Sequence, residues 1–185
     1  MKKILFITVI ILLPFCIKAE ENIFLKFGYA DFSEIGEGNI VGITITRNKN
    51  FSLEIVPFWN DNEIQNLIIP VTLFFGKTLN RSIGFGGGIG YQILFRSIET
   101  PYGIDKRNYS GPLAMIRTHL SVGILKLEIG YQRAFLKSKG LLTRFGKTTK
   151  PGESINIIFP NPDNHPLSKN KIYLSGFTFC FGIRI

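Results

Sequence analysis

The chain has 185 residues, with Lys+Arg 22 against Asp+Glu 13, a formal net charge of +9, 45% hydrophobic residues, 17 Phe, 19 Gly and two Cys. These totals fit a single domain. They exclude a disordered chain, which lacks the apolar residues to offset ordering entropy, and two cysteines exclude both a disulfide-rich scaffold and a zinc-finger array.

Lys2 and Lys3 precede an uncharged apolar run from Ile4 to Phe15, and Ala19 supplies a small residue at a cleavage point before Glu20. This pattern predicts an export signal over 1–19 and a mature domain over 20–185. The run is shorter than the roughly 18 apolar residues a membrane helix needs. Cys16 offers a second form of processing, a lipidated N-terminus, but large Phe15 stands where that cleavage prefers a small residue. Loss of Lys2, Lys3 and Lys18 would leave 19 basic residues against 13 acidic ones and Cys180 as the lone thiol. Charged residues such as Lys26, Glu54, Lys77, Arg96, Arg117 and Lys126 break up every later apolar run, so no further membrane helix is expected.

Beyond the signal the dominant period is two, the period of a strand. Ile23–Ala30 sets Ile23, Leu25, Phe27 and Tyr29 against Phe24, Lys26, Gly28 and Ala30. Ile40–Thr46 sets Val41, Ile43 and Ile45 against Gly42, Thr44 and Thr46, and Phe51–Trp59 sets Leu53, Ile55 and Trp59 against Ser52, Glu54 and Phe58. Leu67–Phe75 is apolar on both faces. Ile83–Phe95 puts Ile83, Phe85, Ile89, Tyr91, Ile93 and Phe95 on one face and Gly84, Gly86, Gly88, Gly90 and Gln92 on the other. Leu113–Leu120 and Leu125–Phe135 follow, the latter with Leu125, Leu127, Ile129 and Tyr131 opposite Lys126, Glu128, Gly130 and Gln132. Ile172–Ile185 ends the chain with Phe177, Phe179, Phe181, Ile183 and Ile185 against Gly176, Thr178, Cys180, Gly182 and Arg184.

That makes eight strands. The connections alternate between long ones (Asp31–Asn39, Asn60–Asn66, Ser97–Pro112, Lys137–Lys171) and short turns (Arg47–Asn50, Gly76–Ser82, Ser121–Ile124). With both chain ends on one side, every short turn falls on that side. An even strand count with this asymmetry predicts an all-β fold, an eight-stranded antiparallel up-and-down transmembrane β-barrel. A soluble periplasmic ligand-binding barrel is the alternative, but it would carry many Lys, Glu, Asp and Gln on its polar face, and here that face holds mostly Gly, Thr and a few charges. Such a face suits the narrow interior of an eight-stranded barrel, and closure alone satisfies backbone N–H and C=O groups in hydrocarbon.

The pattern resembles the small eight-stranded outer-membrane barrels of Gram-negative bacteria, the group that includes the OmpA transmembrane domain and OmpX. The run Phe177-x-Phe179-x-Phe181-x-Ile183-x-Ile185 looks like the terminal assembly signal of that group, with Ile185 where the last residue is usually aromatic. The resemblance implies an outer-membrane location, recognition by the barrel assembly machinery, contact with outer-membrane lipid and lipopolysaccharide, and an interior plugged by side chains. Together the residues and the resemblance predict a structural or surface-contact role through external loops, with no enzymatic activity, cofactor, metal or nucleic-acid partner.

Candidate chemistry is sparse. Lys26, Glu54, Arg117, His119, Lys126, Glu128 and Arg184 fall on the inward face, where charges with little water are expected to pair. His119 and Ser121 share that face, and their His-x-Ser spacing is similar to that of outer-membrane lipid A deacylases, a hydrolase alternative. Against it, the pair lies beside a short turn and Arg133 stands where the matching acid would be. Gly146-Lys147-Thr148 lacks the spacing and context of a phosphate loop, and neither His119 nor His165 has the neighbours of a metal site. Within Lys137–Lys171, Lys137, Lys139, Arg144, Lys147, Lys150, Lys169 and Lys171 make a basic external segment suited to phosphates or another anion, whereas the first two loops are acidic.

Overall fold

The computed structural model describes residues 21–47, 51–79, 82–101, 103–138, 142–147, 154–159 and 165–185. The expected export signal, 1–19, lies outside them. The strands are β1 Glu21–Phe32, β2 Gly36–Arg47, β3 Phe51–Ile55, β4 Phe58–Asp61, β5 Ile64–Thr78, β6 Ile83–Thr100, β7 Gly103–Val122, β8 Leu125–Lys137, β9 Leu142–Lys147, β10 Ser154–Phe159 and β11 Lys171–Arg184.

Every pairing is antiparallel, and the sheet closes on itself. β1 pairs with β2 and with β11, β8 with β11 and with β7, and β6 and β5 complete the wall to β3 and β4. Because β3 and β4 form one interrupted wall strand between β2 and β5, the ring has eight strands.

The register fixes the geometry of closure. From Tyr131, stepping sideways through Phe177 leads to Asp31 of β1. Stepping the other way, through Ile116, Gly87, Phe75, Phe51 and Arg47, leads to Glu21 of the same strand, ten residues away. A stagger of ten residues over eight strands tilts them by about 40°, so each residue advances about 2.4 Å along the barrel axis.

The exposure pattern settles which face is out. Ile89, Ile116, Leu127 and Phe179 are 63%, 66%, 52% and 49% exposed, whereas Lys26, Glu54 and Glu128 are 1%, 3% and 2% exposed. Hydrocarbon-like side chains therefore coat the ring and charges fill it, the reverse of a soluble barrel.

Three expectations are corrected. Ser97–Pro112 is not a loop: β6 runs to Thr100 and β7 starts at Gly103. This stretch stands beyond the apolar band, so its outer face carries Lys106 and Asn108 and gives no apolar alternation. Part of Lys137–Lys171 is also strand, because β9 pairs along the outer end of β7 and β10 pairs with β9. The expected third strand breaks at Val56–Pro57; Pro57 and Pro70, which lack an N–H, stand on the two sides of the break, where β5 changes partner from β4 to β3.

The interior is also less uniform than the small and ionic filling expected. Toward the outer end Phe32, Ile40, Phe58, Ile68, Leu94, Leu136, Ile172 and Leu174 form a buried apolar layer. There the wall rises out of the apolar band, and the barrel packs an oily core as a soluble one does.

Candidate functional site

The period-two pattern aims Lys26 of β1, Glu54 of β3, Arg117 of β7 and Lys126 and Glu128 of β8 at one point of the lumen. Glu128 lies 2.5 Å from Lys26 Nζ, 2.8 Å from Lys126 Nζ and 3.1 Å from an Arg117 nitrogen. Glu54 lies 3.2 Å from Lys26 Nζ and accepts two hydrogen bonds from the Arg117 guanidinium, one of them 2.6 Å. Arg117 stacks 4.0 Å from the Phe74 ring centroid, and Lys126 sits 5.2 Å from that of Phe24. Three cations thus enclose two carboxylates, all buried and wired into a network spanning four strands of the ring.

The network sits about halfway down the apolar wall. Along β8 Glu128 is three residues inward from Tyr131, whose ring contacts that of Phe177, and five from Gly123, which makes the inner turn with φ +61°. Above it Lys26, Glu54, Met115, Arg117 and Cys180 line a cavity of about 40 Å³, room for a few waters and no channel.

Two residues expected in this network stay outside it. Arg184 is exposed at the end of β11 and donates to the side-chain oxygen of Asn22, 3.4 Å away. His119 packs against Gly84, where a Cβ would meet its ring, and its Nδ1 is buried without a hydrogen-bond partner among the described residues. No hydrogen bond joins His119 to Ser121 among the described residues.

A second polar cluster closes the outer mouth. Arg107 donates to the carbonyls of Leu167 and Ser168 at 2.7 and 2.8 Å, to Ser138 Oγ at 3.1 Å and to the side chain of Asn170. The Tyr109 hydroxyl donates to the Lys169 carbonyl at 2.9 Å. Asp105 accepts from Arg144 at 2.5 and 2.7 Å and from His165 Nε2 at 2.9 Å, while the Leu167 N–H donates to His165 Nδ1 at 3.0 Å. Segment 165–170 is therefore strapped across the mouth, with Leu167 fully buried beneath it. Hydrogen bonds from Arg144 hold the Asp105 carboxyl below its ordinary range; His165 adds to this and burial opposes it.

Asp105, Arg107 and Tyr109 were not singled out from the sequence. Their signal is the alternation of these residues with Lys106 and Asn108, polar on both faces and so without a hydrophobic period. Of the basic segment, Lys137 and Lys171 are strand residues directly opposite each other, Arg144 pairs with Asp105, and Lys169 lies 3.0 Å from Glu34. Lys139 and Lys150 lie outside the described residues, as does the side chain of Lys147.

No family model and no curated protein matches the sequence. Among solved structures the chain is similar to a major outer membrane protein from Thermus thermophilus, with a TM-score of 0.65 and 9% identity over 90% of this chain and 100% of that one. It is also similar to Neisserial surface protein A, with a TM-score of 0.56 and 11% identity over 89% of this chain and 97% of that one. Identities so low speak for the fold, which is that of a small outer-membrane β-barrel.

Proposed function

We propose that this chain is an integral outer-membrane protein whose barrel is a closed, non-conducting plug and whose role is mechanical or adhesive, carried by the rim outside the membrane. The observation that carries this is the inside-out exposure pattern: an apolar band on the ring around a lumen filled by an ion network and an apolar layer. A closed ring is the arrangement hydrocarbon demands, since every backbone polar group must find its partner within the sheet. The filled lumen and the strapped mouth argue against transport. The absence of a His119–Ser121 hydrogen bond among the described residues argues against hydrolysis, and the names of the two similar proteins describe membrane and surface proteins without an activity.

The test is fractionation followed by gel migration with and without boiling. The chain is expected in the outer-membrane fraction, running differently when unheated, and protease added to intact cells is expected to cut within 137–171. Release by osmotic shock with identical migration would overturn the membrane assignment. Altered lipid A acylation that His119→Ala abolishes would replace the structural role by an enzymatic one.

A further inference from the structure

The outer wall of β8 and β11 carries a ladder of unusual composition. Reading outward along the lipid-facing side, the opposed pairs are Tyr131 with Phe177, Arg133 with Ser175, Phe135 with Tyr173, and Lys137 with Lys171. The two aromatic pairs are in contact, with ring centroids 5.0 and 4.9 Å apart and planes tilted by 57° and 47°. Arg133, Lys137 and Lys171 are exposed, and none has an acidic partner among the described residues.

This arrangement is costly by itself. Like charges directly opposite on adjacent strands repel, and a cation between aromatic rings at the edge of the hydrocarbon has little water to solvate it. With about 2.4 Å of axial rise per residue, Lys137 stands roughly 10 Å above Arg133, at headgroup height. Below the ladder, Tyr131 and Phe177 also border a groove of about 900 Å³ that includes Phe75, Phe85, Ile116 and Ile129. Its floor is left open by Gly87, where an added Cβ would make only an ordinary contact with the Met115 carbonyl.

We propose that this strip is a binding site for the lipid A portion of lipopolysaccharide: Lys137, Lys171 and Arg133 hold its phosphates, the paired rings of Phe135 and Tyr173 cover its sugars, and the Gly87 groove takes an acyl chain. The charges supply what a phosphate needs, and a phosphate removes the repulsion between the two lysines. The exposed rings offer the half-wet aromatic surface that suits a membrane boundary. The inference rests on the membrane reading above.

The test uses the full barrel folded into phosphatidylethanolamine vesicles, alone or with lipid A, dephosphorylated lipid A or phosphatidylglycerol. The temperature at which the unheated band converts to the boiled one is the readout. Lipid A is expected to raise it and the other two additions to leave it nearly unchanged. Arg133→Gln with Lys137→Gln and Lys171→Gln is expected to fold in phosphatidylethanolamine as the parent does and to need about 100-fold more lipid A for the same rise, on the scale of one surface cation per phosphate contact. Should that triple variant not fold, Lys171→Gln alone, which relieves the opposed pair, carries the test with a loss of about 5-fold. Gly87→Leu is expected to blunt the response to lipid A by filling the groove. An undiminished rise in the charge variants, or an equal rise with phosphatidylglycerol or dephosphorylated lipid A, would overturn the site. A parent chain with no heat-dependent band in plain vesicles would instead overturn the membrane reading.

Discussion

Among single residues, Glu128 holds the most unequal position. It faces Lys26, Lys126 and Arg117 at once and is fully enclosed. Replacing Glu128 by Gln leaves three cations around the single carboxylate of Glu54, and an uncompensated buried charge of this kind costs about 3–5 kcal/mol. Lys126 is bound less tightly into the network, resting on the Phe24 ring and partly open at its side chain. We expect Glu128→Gln to lower the urea midpoint of the vesicle-folded barrel much further than Lys126→Gln; equal losses would mean the network carries no net preference for its anions. Asp105 gives a pH dependence of definite sign. Its folded-state carboxyl is held low by Arg144 and His165, so the mouth strap is stabilised fully above the ordinary aspartate range near pH 4 and loses that support as pH falls through the lowered value. Amide exchange at Ser168, whose N–H donates to the His165 carbonyl and not to its ring, should therefore rise in acid below about pH 4, after correction for intrinsic rate. Asp105→Asn should show the raised exchange already at neutral pH.

At the scale of strands, legibility in the sequence followed the solvent. Wherever a strand has lipid on one side and lumen on the other, large apolar residues alternate with small or charged ones, and β1, β2, β8 and β11 are visible to within a few residues. Where the wall leaves the hydrocarbon the contrast vanishes, which is why the outer end of β6 and the outer half of β7 read as a loop. Of the seven charges expected to meet inside, Lys26, Glu54, Arg117, Lys126 and Glu128 do so at mid-wall, where a narrow barrel offers little water, whereas Arg184 and His119 do not join them. The strap was not legible, because Arg107 meets Leu167 and Ser168 at their backbone carbonyls, which carry no residue-type signal. The break between β3 and β4 left a clue in Gly42. A Cβ there would run into the Ile55 carbonyl and come within 2.5 Å of the Val56 Cα, so the bulge needs a neighbour without a side chain. Gly42→Ala is expected to cost at least about 2 kcal/mol by overpacking against backbone, whereas Gly87→Ala, whose Cβ would make only an ordinary contact with the Met115 carbonyl, should leave the unfolding midpoint of the barrel unchanged. Equal effects would show that the break relaxes around a side chain.

Over the whole barrel, closure is distributed through three stacked barriers rather than placed at one gate. The strap of 165–170 covers the mouth, the apolar layer around Phe58, Leu94 and Leu136 lies beneath it, and the ion network seals the middle of the wall. Each barrier uses the physics of its depth: backbone hydrogen bonds where water competes, oil where the wall stands clear of the hydrocarbon, and paired charges where hydrocarbon surrounds the ring. Losing one barrier should therefore leave the other two intact. Arg107→Ala removes at least four of the contacts holding the strap and is expected to speed proteolysis near Leu167. It should produce no conductance steps in a planar bilayer, because an ion would still meet the apolar layer. Cys180, which lines the cavity between that layer and the network, gives an independent probe of the same depth. Its reaction with a water-soluble maleimide should be as slow in Arg107→Ala as in the parent chain, and fast labelling would mean that the strap alone keeps water out of the lumen.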